Sequence, residues 1–138
     1  MAARDKIHGA VKTALVKDGW TITDDPFMIV YKDVGLSADL GAERTLAAER
    51  GAERIVVEIK SFLGPSLFHD LEQALGQYGL YRLYLRLTKS EQVLFLAIDP
   101  LTYADFFRRE SVQVAVDDAK LKLVIVNIET EEVMQWIA

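Results

Sequence analysis

The clearest hydrophobic periodicity lies at the start of the chain. Ile7, Ala10, Val11, Ala14 and Leu15 recur at i, i+3, i+4, i+7 and i+8, which predicts a helix packed along one side. Gly19 offers the C-terminal stop. Trp20 to Thr23 is short and β-prone, Asp24-Asp25-Pro26 reads as a turn, and Phe27 to Tyr31 is an apolar run of buried-strand length. A second turn is expected over Lys32 to Gly35. From Leu36 to Lys60 the pattern predicts a hairpin, or strand, excursion and strand, with Arg50-Gly51 as the best turn between the arms. The second arm, Arg54 to Ser61, is the clearest strand, because Ile55, Val56, Val57 and Ile59 are all β-branched. Alternation puts Val56, Glu58 and Lys60 on one face and Ile55, Val57 and Ile59 on the other. Gly64-Pro65-Ser66 breaks that strand and can cap the helix expected over Leu67 to Leu87. Gln92 to Ile98 reads as a strand and Leu101 to Arg109 as a short helix. Val112 to Val116, Leu121 to Ile128 and Val133 to Ile137 read as terminal strands. The predicted order is α-β-β-β-α-β followed by one more helix and further strands.

Composition narrows the class. With 138 residues, 51% hydrophobic and 27% charged, the chain has the profile of one soluble globular domain spanning residues 1–138. There is no cysteine, which excludes disulfides, zinc thiolates and thiol catalysis. The N-terminal segment is charged throughout, so it reads as an amphipathic helix and not a signal peptide. No apolar run approaches the roughly 20 residues of a membrane span. A cytoplasmic protein is the expectation. The net charge of −5 argues against a wholly nucleic-acid-binding surface. Tight DNA binding would then need a partner, a dimer groove or bound divalent cations.

The chemistry concentrates at Glu58-Ile59-Lys60. Two residues apart on a strand, the carboxylate and the ammonium point the same way, roughly 6 to 7 Å apart. A carboxylate flanked by apolar residues needs a compensating group, either Lys60 or a divalent cation. Pairing of 36–48 with 54–60 would bring Asp39 beside Glu58. Asp39, Glu58 and the Ile59 backbone carbonyl then make an oxygen-rich set suited to Mg²⁺ or Mn²⁺. Such a metal could polarise a phosphate and lower the pKa of a bound water, with Lys60 orienting that water or stabilising developing charge.

Asp, a gap, then Glu-x-Lys on a hydrophobic strand followed by a helix resembles the PD-(D/E)XK nuclease signature. Ala38 stands where that signature has proline. The surrounding text is more specific: KDGWTITDDP, ADLGAERTLAAERG, VEIKSFLGPS, DLEQALGQYGLY and VMQWIA together resemble the XisH family, the fdxN element excision controlling factors of cyanobacteria. The resemblance covers nearly the whole chain. It implies an α/β, restriction-endonuclease-like core with a central mixed sheet flanked by helices. It also implies a role in site-specific DNA excision alongside a recombinase and a companion excision factor. In resembling nucleases a first-helix acid often joins the metal site, and Asp5 is the nearest match. His8, on the same helix flank as Asp5 and Lys12, is either an accessory site residue or a helix-surface histidine. The helix after the Glu-x-Lys strand often carries a polar residue facing the site, and Gln73 and Gln77 are the candidates there.

Other features have plainer readings. The mixed charges Glu43, Arg44, Glu49, Arg50, Glu53 and Arg54 suit a solvated hairpin, or an arm that pairs with another subunit in a homodimer. Tyr78, Tyr81 and Tyr84 suit packing better than base stacking. Arg82, Arg86 and Lys89 complement the helix dipole. Phe106-Phe107-Arg108-Arg109 reads as a surface helix end. Two functions remain: a Mg²⁺- or Mn²⁺-dependent DNA endonuclease, or a catalytically silent nuclease-fold accessory protein that binds DNA, the recombinase or the companion factor. A defence nuclease held by a cognate partner would be a third, by analogy alone.

Overall fold

The computed structural model describes residues 3–45 and 51–138. Helix α1 (Ala3–Lys17) is followed by strands β1 (Thr21–Asp24), β2 (Phe27–Tyr31), β3 (Val34–Ala38), β4 (Leu40–Thr45) and β5 (Ala52–Ile59). Helix α2 (Leu67–Leu87), β6 (Val93–Ile98), a short α3 (Pro100–Thr102) that runs into a π-helical stretch (Tyr103–Phe107), α4 (Glu110–Ala119), β7 (Leu123–Asn127) and β8 (Glu132–Ile137) complete the order. Among the described residues no helix is long and apolar enough to cross a membrane.

The fold is a mixed α/β one. Six strands form the central sheet in the order β1-β4-β5-β6-β7-β8. The inner pairs β5/β6 and β6/β7 are parallel, and the outer pairs are antiparallel. Parallel neighbours cannot be joined by a hairpin, so the chain must cross over between them. Helix α2 makes the first crossover; α3, the π-helical stretch and α4 make the second.

Strand alternation divides the interior in two. Val56, Leu94, Leu96, Ile98, Leu123 and Ile125 pack with α2, α4 and the π-helical phenylalanines. Ile55, Val57, Phe95, Ala97, Val124 and Val126 pack with Val11, Ala14 and Leu15 of α1. Helices thus cover both faces, as expected, and the central strands read as nearly continuous apolar runs because neither face meets water. Asp18, just past α1, accepts hydrogen bonds from the indoles of both Trp20 (3.2 Å) and Trp136 (3.1 Å), which ties edge strand β8 to the end of the first helix.

Several elements differ from the sequence pattern. Val112 to Val116 is helical. Val112 and Val116 are buried one turn apart, while Val114 is exposed. V-Q-V-A-V fits both periods, and the need to cross between parallel β6 and β7 selects the helix. Phe27 to Tyr31 is a strand but not a buried run: it pairs only with β3 in a separate two-stranded hairpin, and only Ile29 is buried. The first arm of the 36–60 region breaks at Asp39 into β3 and β4, and these join different sheets. Phe106 and Phe107 are core, at 1% and 0% exposure, because their rings pack edge-on against Phe68 and Phe62. Residues 46–50, including Glu49 and the Arg50 half of the expected turn, lie outside the described residues; Gly51 has φ +76°. Gly19, at φ +96°, ends α1 as its composition suggested.

Candidate metal and phosphate site

Asp39 and Glu58 meet because of strand register. Leu40 pairs with Val57, so the next residues outward are Asp39 and Glu58, at the break before β4 and the end of β5. Their contacts are reciprocal. The Asp39 amide donates to Glu58 Oε1 at 3.1 Å, and the Ile59 amide donates to Asp39 Oδ2 at 2.8 Å. Each carboxylate therefore accepts a backbone N–H from the other's strand just where ladder pairing ends. Glu58 is 7% exposed, one of two buried charged side chains among the described residues. A carboxylate in that position requires such donors.

Lys60 continues the β5 line. Its amide donates to Ala97 O, and its Nζ donates to Gln73 Oε1 at 3.3 Å. Gln73 thus sits on α2 where the sequence placed it, holding the lysine. Gln77 turns to a different partner and donates to the Tyr81 hydroxyl at 3.0 Å. That hydroxyl donates to Ser37 O at 2.9 Å. Burial pushes the Tyr81 phenol above its ordinary pKa; the Gln77 hydrogen bond opposes the rise, and the charges of Glu58 and Asp39 add to it. Tyr81 thus ties α2 to Ser37, two residues before Asp39.

Helix α1 closes the other side. His8 Nε2 lies 2.8 Å from Asp25 Oδ1, and His8 Nδ1 lies 4.0 Å from Asp39 Oδ1. Lys12, one turn on, donates to Asp25 Oδ2 at 2.9 Å. That hydrogen bond lowers the Asp25 pKa from its ordinary value; partial burial opposes the effect and His8 reinforces it. His8 bridges the pre-β2 turn to the acidic pair, so it is a site-facing residue. Asp25 is the residue that pattern reading missed, and the doubled acid before Pro26 was the signal. Asp5 is exposed on the first turn of α1.

His8, Asp39, Glu58 and Lys60 line an open cleft of about 380 Å³, bounded also by Ile7, Ile59, Ser61 and Leu63. A larger cleft of about 610 Å³ shares Ile7, Ile59, Lys60, Ser61 and Leu63 with it and runs over the ends of β6 and β7 to Asp99 and Asn127. The larger one is walled mainly by apolar groups, so the charged chemistry belongs to the smaller. Among the described residues no group of three or more His, Cys, Asp or Glu is placed to hold a metal. The side-chain donors lining the cleft include the carboxylates of Asp39 and Glu58. Magnesium commonly uses one or two carboxylates and completes its shell with water and substrate phosphate, so this all-oxygen set fits it in kind.

The loop that closes the cleft is fixed from below. Asp70, buried in the first turn of α2, accepts from the Gly64 amide at 3.0 Å. A Cβ on Gly64 would lie 2.9 Å from Asp70 Oδ1, so only glycine permits this approach. Ser66 caps α2 by accepting from the His69 amide at 3.2 Å.

The family model described as XisH protein matches residues 1–134. The chain belongs to the XisH family. Two solved structures agree with that assignment. The crystal structure of an XisH family protein from Nostoc punctiforme PCC 73102 is 40% identical, with a TM-score of 0.88, covering 97% of this chain and 100% of that one. The crystal structure of an fdxN element excision controlling factor protein from Anabaena variabilis is likewise 40% identical at TM-score 0.88, covering 98% and 100%. No curated protein matches.

Proposed function

We propose that this XisH-family chain is a Mg²⁺- or Mn²⁺-dependent, PD-(D/E)XK-type DNA endonuclease domain that acts in, or regulates, site-specific DNA excision in the cytoplasm. The observation that carries the reading is the meeting of Asp39 and Glu58 at one cleft with Lys60 beside them. Asp39, Glu58 and the Ile59 carbonyl are the groups that would hold the cation. A bound cation would supply Lewis-acid polarisation of a phosphate oxygen and a more acidic water. Lys60, steadied by Gln73, would orient the attacking water and offset charge building on the phosphate. Water oxygen would bond to phosphorus, the bond to the leaving oxygen would break, and that oxygen would take up a proton. The excision setting comes from the Anabaena variabilis neighbour, named as an fdxN element excision controlling factor. A recombinase and a companion excision factor are the partners that setting proposes.

A second reading has its own support. The reciprocal amide bonds give Asp39 and Glu58 a structural duty as strand terminators, which a catalytically silent accessory protein would also need. Calorimetric titration of Mn²⁺ separates the two. The nuclease reading expects binding by the wild type, loss in Glu58→Ala and Asp39→Ala, and retention in Lys60→Ala. It also expects DNA cleavage to fall by roughly 100-fold or more in Lys60→Ala, as when one charge-stabilising donor is removed. A wild type that takes up no Mn²⁺, with or without DNA, leaves the accessory reading in its place.

A further inference from the structure

Helix α2 is apolar on both sides. Its inner side buries Leu71, Ala74, Tyr78, Tyr81 and Leu85. On the opposite side Gly76, Leu80, Leu83 and Leu87 fall within about 60° of one another at 3.6 residues per turn. Leu80 and Leu87 are 50% and 43% exposed, although both belong to a long, well-formed helix. A Cβ at Gly76 or Gly79 would meet nothing within 4 Å, so neither glycine is needed for packing inside the chain. Glycine in a helix interior is nonetheless unfavourable relative to alanine. Glu72 and Arg86 flank this face, and both are exposed. Neither forms an ion pair among the described residues.

The arrangement is self-complementary. Glu72 and Arg86 lie seven residues either side of Gly79, on the same flank. Gly76 and Leu83 are placed symmetrically about the Gly79–Leu80 step. In an antiparallel helix pair with its two-fold axis at that step, Leu83 of each copy faces the gap left by Gly76 of the other. Leu80 of each copy lies level with Gly79 of the other, one residue from its own equivalent, and Glu72 falls within one residue of the level of Arg86 twice over. An isologous contact requires this kind of pairing of one patch with itself. We propose that the outward face of α2 is a homodimer interface, occupied by the same helix of a second copy of this chain.

Sedimentation velocity on the full chain tests this. The wild type is expected to sediment as a concentration-dependent dimer. Leu80→Glu combined with Leu83→Glu is expected to raise the dissociation constant at least roughly 100-fold, as for charges placed at an interface centre. The far-ultraviolet circular dichroism of that variant should be unchanged. Glu72→Arg and Arg86→Glu should each weaken the dimer by roughly ten-fold, because each makes two like-charged contacts. The two together should restore it. A wild type that stays monomeric at high concentration overturns the proposal and leaves the face to a different protein. So does a dimer indifferent to the leucine changes, and a double charge reversal that fails to recover association overturns the antiparallel register.

Discussion

At the scale of single residues, polar groups placed in apolar surroundings dominate this protein. Asp70 lies almost wholly inside and holds the Gly64 amide, so Asp70→Ala leaves that donor unmatched. The expected cost is about 1–3 kcal/mol, read as a lower urea midpoint at unchanged slope. The cleft loop that carries Ser61 and Leu63 should loosen with it. Two buried phenols make a pH prediction. Burial raises Tyr78, against a hydrogen bond from the Lys122 amide and the charge of Arg82; burial likewise raises Tyr81. Both should ionise above the ordinary value of 10.0. The folded protein holds these protons more tightly than the unfolded chain. Their contribution is therefore complete below that ordinary value and is lost as pH rises from there through the folded values. Ultraviolet titration should show late-ionising components, one lost in Tyr78→Phe and another in Tyr81→Phe. Asp39, Glu58 and Lys60 were legible as candidates because a Glu-x-Lys step on an apolar strand is chemically conspicuous. Asp25 and Tyr81 were not, since their importance comes from what faces them across 13 to 44 residues of sequence.

At the scale of elements, the crossovers decide what local pattern leaves open. The strand signal of Val112 to Val116 yields to a helix because β6 and β7 lie side by side and parallel. The π-helical stretch before it anchors the same crossover. Phe107 packs edge-on against Phe62 at 5.2 Å between ring centres, and Phe106 does so against Phe68 at 5.2 Å. Phe62 lies three residues past the end of β5, so this aromatic cluster seats the loop that leads from Lys60 to α2. Phe107→Ala should cost about 3–5 kcal/mol by removing a ring with 0% exposure, and chemical denaturation would register it. Phe106-Phe107 beside two arginines has the composition of a surface helix end; the rings are buried because Phe62 and Phe68, from a distant part of the chain, lie against them. The long helix α2 and strand β5 were readable because length and composition agreed with their final environment.

At the scale of the whole molecule, an acidic chain carries a cleft proposed for an anionic substrate. The net charge is −5, and the cleft itself brings Asp39 and Glu58 together, with Asp25 held by His8 beside it. Duplex DNA should therefore bind measurably only when a divalent cation is present. Fluorescence anisotropy with labelled duplex should show association with Ca²⁺ or Mn²⁺ and none with EDTA, weakening steeply as salt rises. Association without any divalent ion would move the binding surface away from this cleft. Helix pairing through α2 would join two such chains without using either cleft as the contact.

The α/β class, the amphipathic first helix, the apolar β5, the long α2 and the Glu58–Lys60 step are all legible in the amino-acid order, because each is written in neighbouring residues as a period or a spacing. That Asp39 follows the end of β3 and accepts the Ile59 amide at the end of β5 comes from the folded arrangement alone. The same holds for Val112 to Val116 crossing over as a helix, for Phe106 and Phe107 turning inward, and for His8, Asp25 and Tyr81 closing around the acidic pair. Those outcomes depend on which strands lie side by side and in which direction. The energy that selects among them comes from contacts between residues far apart in the chain, which no local pattern records.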